Sequence, residues 1–429
     1  MNKVLIISYY WTPAGGVAVQ RWLKFSKYLA EYGWQPVILT VENGSYPYID
    51  ESLAVQVPSN IKVYRTKTFE PFELYNLLRG KRGKAVPLAV ATASKPSLFQ
   101  RLSVFIRANF FIPDARRGWI PYAVHAAENI IKEEAIDAIV TTGPPHSTHL
   151  IGQQLKAKYK LPWVADFRDP WTEIFNNQYL PFTTWAKNKD KQLEYGVLND
   201  CDIATVIGEG MKSAFSAEFS HKMRVITNGY DEDDFDRTIV PATDTYRMSY
   251  VGNLFSNQDV PALWEAIAAL RAEHEDFKRD FELELIGKAD PIVLDSMKAA
   301  GMLDCVVFGA FVPHREAIAK MQSAAVLLSV IPQVANNNLI LTGKIFEYIG
   351  SGRPILLVGP IGCDAAKLIA ESNTGISHSY TDTALMKQTL LRYYELCLNT
   401  INNESAINSE YSRKSLAKKM AEVLEGLKK

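Results

Sequence analysis

Short runs of aliphatic and β-branched residues alternate along this chain with segments whose apolar residues recur every three or four positions. The runs predict strands at Lys3–Ser8, Pro36–Val41, Asn60–Arg65, Ala138–Thr142, Trp163–Phe167, Ile203–Ile207 and Arg224–Thr227. The series restarts after Pro241-Ala242-Thr243-Asp244, with strands predicted at Tyr246–Val251, Phe281–Ile286, Val306–Phe308, Val326–Val330 and Pro354–Val358. Gly287 and Gly359 close two of these, as turns require. Helical patterns lie between the runs. One spans Val19 to Glu31, with Trp22, Phe25 and Leu29 on one stripe. Strands alternating with helices are the signature of parallel βαβ units, so the fold class is α/β. The pattern predicts two doubly wound domains facing across a cleft, over residues 1–230 and 245–410, and a charged amphipathic helix within 411–429. In such sheets ligands bind beyond the carboxyl ends of the strands, so the chemistry is expected in the loops there.

Composition narrows the class. A chain of 429 residues is too long for one ordinary core. With 47% hydrophobic and 22% charged residues it is globular rather than disordered. No apolar run reaches the length of a spanning helix. Met1–Ser8 carries no cleavage site and reads as a first strand rather than a signal peptide, so the chain is expected in the cytoplasm. Cys201, Cys305, Cys363 and Cys397 are widely scattered and lack metal-ligand spacing. The seven histidines form no H-E-x-x-H pattern, so no metal is expected.

Charge is balanced overall, 47 basic against 47 acidic side chains, but unevenly placed. Between Arg79 and Arg117 nine basic residues face one acid, Asp114. Within that stretch Leu98 to Arg107 has apolar positions at helical spacing with arginines interleaved. This suits either a basic loop leading into an ordinary packed helix or an amphipathic segment in peripheral contact with an anionic membrane, which would lie at the inner face of the cell membrane. No nucleic-acid-binding motif accompanies the charge.

Five loops carry unusual residues. Tyr9 to Val17 follows the first strand and contains Gly15 and Gly16 ahead of a helix. Two glycines allow close backbone approach, and a helix N-terminus attracts phosphate. The spacing lacks the dinucleotide fingerprint, which counts against an oxidoreductase. Gly143-Pro144-Pro145-His146 is a stiff loop with His146 just before a helix that Ser147 or Thr148 could cap. His146 is a candidate substrate contact there, or simply a backbone hydrogen-bonding partner. Asp166, Arg168 and Asp169 follow the Trp163–Phe167 strand. These carboxylates could bind sugar hydroxyls beside Trp171, or pair with Arg168. Asn228 lies at the expected hinge, and Gly252-Asn253 ends a strand. Lys344 and Glu347 share a face of the helix that begins at Gly343. Lys344 is unfavourable in that first turn unless it faces an anion. A lysine for phosphate and a carboxylate for ribose fit the spacing, as does a surface ion pair.

Gly15-Gly16, Asn228-Gly229-Tyr230-Asp231, Tyr250-Val251-Gly252-Asn253 and the run Thr342 to Ile355 together resemble the GT-B retaining glycosyltransferases of family 4, especially bacterial enzymes of surface-polysaccharide synthesis. The resemblance implies two Rossmann-like domains, with the acceptor on the first and a nucleotide-diphosphate sugar donor held mainly by the second. It implies a C-terminal helix crossing back onto the first domain. It implies a glycan or lipid-linked acceptor and no cofactor beyond the donor. By position, Gly15 and Gly16 would approach the diphosphate, His146 would face the donor sugar, Glu347 would bind the ribose and Lys344 would lie near the phosphates. Asn228, Gly252 and Asn253 fall with these donor contacts.

Two departures stand out. The first of two glutamates common in the family is Leu339 here, with Asn336, Asn337 and Asn338 beside it. The stretch Asn253 to Gln258 lacks the basic pair that many members carry. Neutralisation of the diphosphate then rests on Lys344, backbone amides, and Arg168 or Arg353. The mechanism implied is same-face transfer assisted by the leaving phosphate, with Asp166 and Asp169 keeping a covalent route open. The alternatives are an epimerase or phosphorylase with similar ligands, and a catalytically silent subunit that binds a nucleotide sugar or scaffolds a complex.

Overall fold

The computed structural model describes residues 1–46, 48–70, 98–174, 177, 180–240, 245–399 and 409–428. Its strands are β1 (Asn2–Ser8), β2 (Trp34–Val41), β3 (Lys62–Thr66), β4 (Ala138–Gly143), β5 (Trp163–Phe167), β6 (Ile203–Val206), β7 (Met223–Val225), β8 (Tyr246–Val251), β9 (Phe281–Ile286), β10 (Val306–Gly309), β11 (Val326–Val330), β12 (Ile355–Val358) and β13 (Gly375–His378). They form two wholly parallel sheets, in the orders β3-β2-β1-β4-β5-β6-β7 and β10-β9-β8-β11-β12-β13. Helices cover both faces, so the central strands are buried on both sides and largely apolar. Val4 to Ile7 of β1 and Leu327, Leu328 and Val330 of β11 have no exposed surface. That continuous burial is why these runs stand out in the sequence.

In each sheet the strand order reverses once, between β1 and β4 and between β8 and β11. The loops after those strands sit at the switch points where doubly wound sheets bind ligands.

The first compact unit comprises Met1–Thr227 and Arg413–Lys429, and the second Asn228–Ser412. The chain leaves the first unit three residues before the boundary read from the sequence. The helix Arg413–Gly426 is part of the first unit's core. It buries Leu416, Ala417, Met420, Ala421 and Leu424 with Val19, Trp22 and Leu23 of the helix Val17–Leu29. In the second unit Tyr230 pairs with Ser412, and the Tyr230 amide donates to the Tyr411 carbonyl, so the departing and returning segments run side by side.

Part of the basic stretch, residues 79–97, lies outside the described residues. The remainder forms the helix Leu98–Phe110. Arg116 is not a free cation. It pairs with the buried Glu70 carboxylate at 2.7 Å and donates to the Ser45 carbonyl. Among the described residues no helix is long and apolar enough to cross a membrane.

Candidate functional site

Each unit carries a cluster of polar groups at its switch point. In the first unit Gly15 and Gly16 do different things. A side chain at Gly15 would fall 2.1 Å from the Tyr48 ring, and the Gly15 amide donates to the Tyr48 carbonyl. A side chain at Gly15 would therefore displace the exposed Tyr48 ring. Gly16 has φ of 97°, a region that favours glycine, and open space where a side chain would stand. It precedes the helix Val17–Leu29, whose first turn holds no acid and no side-chain cap. Of the two glycines, Gly16 is the one beside uncovered backbone.

Asp166 is used differently from the sugar contact or nucleophile expected of it. The register aligns Ser8, Thr142, Asp166 and Thr205 across the sheet. Its carboxylate accepts from Arg21 twice (2.8 and 3.2 Å), Trp22 Nε1 (2.8 Å), Thr142 Oγ1 (2.9 Å) and Thr205 Oγ1 (2.7 Å). Five donors exhaust a carboxylate's lone pairs, and the residue has no exposed surface. Burial alone would raise its pKa. The Arg21 charge and the hydrogen bonds overcome that and hold the carboxyl at about 2. Arg21 also donates to the carbonyls of Ile226 and Thr227, the last residues before the chain leaves this unit. Asp166 is a structural hub.

Arg168 pairs with neither neighbouring carboxylate. It donates to the Gly143 carbonyl at 3.2 Å and to the Pro144 carbonyl, pinning the proline loop. Asp169 is half-buried and makes no hydrogen bond or ion pair among the described residues. Burial raises its carboxyl above the usual range and Arg168 opposes the shift.

The pinned loop presents His146. Its ring stacks on Trp171 with centroids 4.9 Å apart and planes 7° apart, and neither ring nitrogen has a partner among the described residues. The helix Ser147–Tyr159 is capped by Asp114, remote in sequence, which accepts from the Ser147 amide and hydroxyl at 2.8 Å. His146 is therefore not needed for capping. Trp171 is held by a 2.8 Å bond to the Asp190 carboxylate, which burial raises to about 7. A buried polar ring without a partner costs stability, so it marks a place that a ligand could satisfy. Burial first, then His149 and Arg168, keep the His146 pKa well below its ordinary value. Burial likewise lowers His149 to about 3. Both rings are neutral near pH 7.

This has a stability consequence. The unfolded chain titrates these histidines near pH 6.5, whereas the folded chain resists protonation. The stabilisation is therefore complete above the unfolded value and is lost as pH falls below it. Acidification from pH 6.5 should lower unfolding stability by up to about 1.4 kcal/mol per pH unit for each ring. His149→Gln should flatten that dependence, as thermal unfolding across pH would register.

In the second unit Lys344 stands in the first turn of the helix Gly343–Ser351. Its ammonium donates to Tyr250 Oη (2.8 Å) and the Val251 carbonyl (3.3 Å) and lies 4.0 Å from the Tyr250 ring centroid. Among the described residues no carboxylate pairs with it, so the expected alternative of an ion pair with Glu347 is not seen. Burial lowers its pKa to about 8, with Glu347 opposing. Glu347 instead bonds His314 Nε2 at 2.8 Å. Thr342 Oγ1, at the same helix N-terminus, is buried without a partner among the described residues.

Gly252 has φ of 117°, and a side chain there would lie 3.5 Å from Lys344 Nζ, so the loop after β8 leaves room beside the ammonium. Asn253 Oδ1 accepts from the Lys288 amide and so closes that loop. Asn228 is buried with Oδ1 unpartnered among the described residues. Leu339, where the resemblance calls for a glutamate, is half-buried in a short turn, and Asn337 donates to the Pro332 carbonyl and to Tyr380 Oη. A lysine with no carboxylate bonded to it among the described residues, a helix N-terminus without a side-chain cap and a carboxylate one turn on can together hold an anionic phosphate and a neighbouring hydroxyl pair. Among the described residues no group of three or more His, Cys, Asp or Glu is arranged for a metal.

Sequence reasoning missed Arg21, Tyr250, His314 and Asp190 as parts of these clusters. Each meets its partner from another element, so local spacing does not pair them, although Tyr250 stands in one of the quoted motifs.

No protein-family model and no curated protein matches the sequence. Solved structures do match in fold. Sucrose-phosphate synthase from Thermosynechococcus elongatus has a TM-score of 0.61 at 14% identity, over 100% of this chain and 99% of its own. Anabaena HepE, solved in complex with UDP, has a TM-score of 0.60 at 11% identity, over 99% and 100%. WaaG, a glycosyltransferase involved in lipopolysaccharide biosynthesis, has a TM-score of 0.54 at 14% identity, over 99% and 100%. The architecture of two Rossmann-like α/β domains is the GT-B fold, and it is the fold of this chain.

Proposed function

We propose that this protein is a retaining glycosyltransferase that moves a sugar from a nucleotide-diphosphate donor to an acceptor hydroxyl in the synthesis of a surface polysaccharide or glycolipid. The observation that carries this reading is Lys344, an ammonium with no carboxylate partner among the described residues, at a helix N-terminus without a side-chain cap. Glu347 lies one turn away, in a fold shared with glycosyltransferases along the whole chain.

In this reading the second unit holds the donor. Lys344 and the first-turn amides take the diphosphate, and Glu347 takes the ribose hydroxyls, with His314 orienting its carboxylate. In the first unit His146 is a neutral ring, kept in place by Trp171 and by Arg168's hold on the loop, and it is the candidate substrate contact there. Asp169 remains a candidate contact, whereas Asp166 does not. The bond from the anomeric carbon to the diphosphate breaks, and a bond from that carbon to the acceptor oxygen forms on the same face. The acceptor proton passes to the departing phosphate oxygen. Charge built on the leaving group is stabilised by Lys344 and the helix N-terminus.

The expected result with donor and acceptor sugars is release of nucleoside diphosphate and a product whose anomeric configuration, read by nuclear magnetic resonance, matches the donor. Glu347→Ala should weaken donor binding about tenfold to a hundredfold, the worth of one or two charge-assisted hydrogen bonds. The half-buried Leu339 favours one second reading, a silent subunit. Donor binding with no product from any acceptor would support that reading.

A further inference from the structure

We propose that Asp190 is a positioning residue for glycosyl transfer: through Trp171 it sets the plane and place of the His146 ring. The proposal rests on the reading of His146 as the substrate contact in the first unit. Four rings cluster at the pinned loop, His146, His149, Phe167 and Trp171. Five of their six pairs are tilted by 31–38°, whereas His146 and Trp171 lie 7° apart. An indole carries one polar atom, so a hydrogen bond to it fixes the ring plane. Trp171 is buried, and its Nε1 donates to Asp190 Oδ1 at 2.8 Å. Asp190 thus sets the plane on which His146 stacks, while Arg168 holds the backbone of the loop.

The position of Asp190 is a costly one for an acid. It lies on the inward stripe of the helix Thr184–Asp200, with Ala186, Val197 and Leu198. Such a stripe is normally apolar. Glu194 follows one turn on and accepts from the Thr172 amide at 2.8 Å. The helix therefore holds Trp171 by its ring and the next residue by its backbone. Burial raises both carboxyls, Asp190 to about 7. For Asp190 the Trp171 hydrogen bond opposes the rise and the Glu194 charge adds to it. Ionising either acid costs stability, and like charges one turn apart increase that cost. Apolar residues would close the stripe without it. What the two acids supply, and apolar side chains cannot, is a pair of acceptors at fixed places. Both serve the segment that carries the platform for His146.

Nuclear magnetic resonance of the full chain with labelled histidines tests the placement, with the His146 signal assigned by its absence in His146→Gln. Stacking on the indole should shift the His146 ring protons upfield, and Trp171→Leu should abolish that shift. Asp190→Leu keeps the size and removes the acceptor, so it should move the signal towards its Trp171→Leu position. Asp190→Glu moves the acceptor by one methylene and should also displace the signal, which keeps the test open if the leucine variant does not fold. Asp190→Asn keeps an acceptor oxygen and should leave the signal in place. Its unfolding temperature should match or exceed that of the wild type, because the amide does not ionise. Nucleoside diphosphate release from UDP-, GDP-, ADP- and dTDP-glucose is the second readout. Asp190→Leu should lower kcat about tenfold to a hundredfold, the effect of a displaced contact. Asp190→Asn should restore it. Affinity for the nucleoside diphosphate, which the donor reading places in the second unit, should not change. A His146 signal that neither Asp190→Leu nor Asp190→Glu moves, or one that Asp190→Asn displaces as far, would overturn the inference. So would a displaced ring with an unchanged kcat. A wild type that neither binds nor cleaves any of the four sugars would count against the donor reading, and the His146 signal alone would then decide the inference.

Discussion

Arg21→Met is expected to destabilise the first unit by about 3–5 kcal/mol, because it leaves the Asp166 carboxylate buried without its counter-charge. Both side chains are fully buried and 2.8 Å apart, so solvent does not screen the loss. The Ile226 and Thr227 carbonyls lose their donor at the same time. Asp166→Asn should also be strongly destabilising, for the converse reason. The double variant should lose less than the sum of the two, because neither charge is then stranded. Denaturant titration followed by tryptophan fluorescence checks this directly, since seven of the eight tryptophans lie in the first unit. If Asp166→Asn left stability intact and abolished only turnover, the catalytic role first expected of Asp166 would return.

Lys344→Met carries the second large effect, and it separates function from folding. Burial already disfavours the ammonium, as its pKa of about 8 records. A lysine whose folded pKa lies below its unfolded value costs stability below the folded value, and that cost is relieved as pH rises towards the unfolded one. Replacing the charge with a side chain of similar length removes the cost. The unfolding temperature of the variant is therefore expected to match or exceed that of the wild type. Affinity for a nucleoside diphosphate should fall about tenfold to a hundredfold, the worth of a charge-assisted hydrogen bond to phosphate. In the wild type that affinity should decline as pH rises through about 8, and in Lys344→Met it should not. A variant that lost stability along with binding would make Lys344 a structural residue.

Much of the fold was legible because parallel strands buried on both faces read as short apolar runs. Twelve of the thirteen strands lie where such runs occur. The exception, Gly375–His378, is a glycine, one isoleucine and two polar residues. It is a strand because it pairs with Ile355–Val358, and a side chain at Gly375 would meet the Ile355 carbonyl at 2.1 Å. Propensity says little about such an edge strand.

The candidate sites were legible by position and less so by partner. Helical spacing alone put Lys344 and Glu347 on one face. Nothing local indicated that Lys344 would donate to Tyr250, 94 residues away, or that Glu347 would take His314, 33 residues away. Asp166 was visible at a strand end, but the Arg21 that claims it is 145 residues away. Arg168 looked like a partner for its neighbours and instead grips two carbonyls of the preceding loop. Local spacing shows which residues share a face. Sheet order decides what they meet there.

The most direct test of the donor site is calorimetric titration of the full chain with UDP-, GDP-, ADP- and dTDP-sugars, repeated on Glu347→Ala and Lys344→Met. The account predicts that one nucleotide class binds with single-site stoichiometry and that both substitutions weaken it strongly. Binding that both variants retain at wild-type strength, or no binding of any of the four, would contradict it.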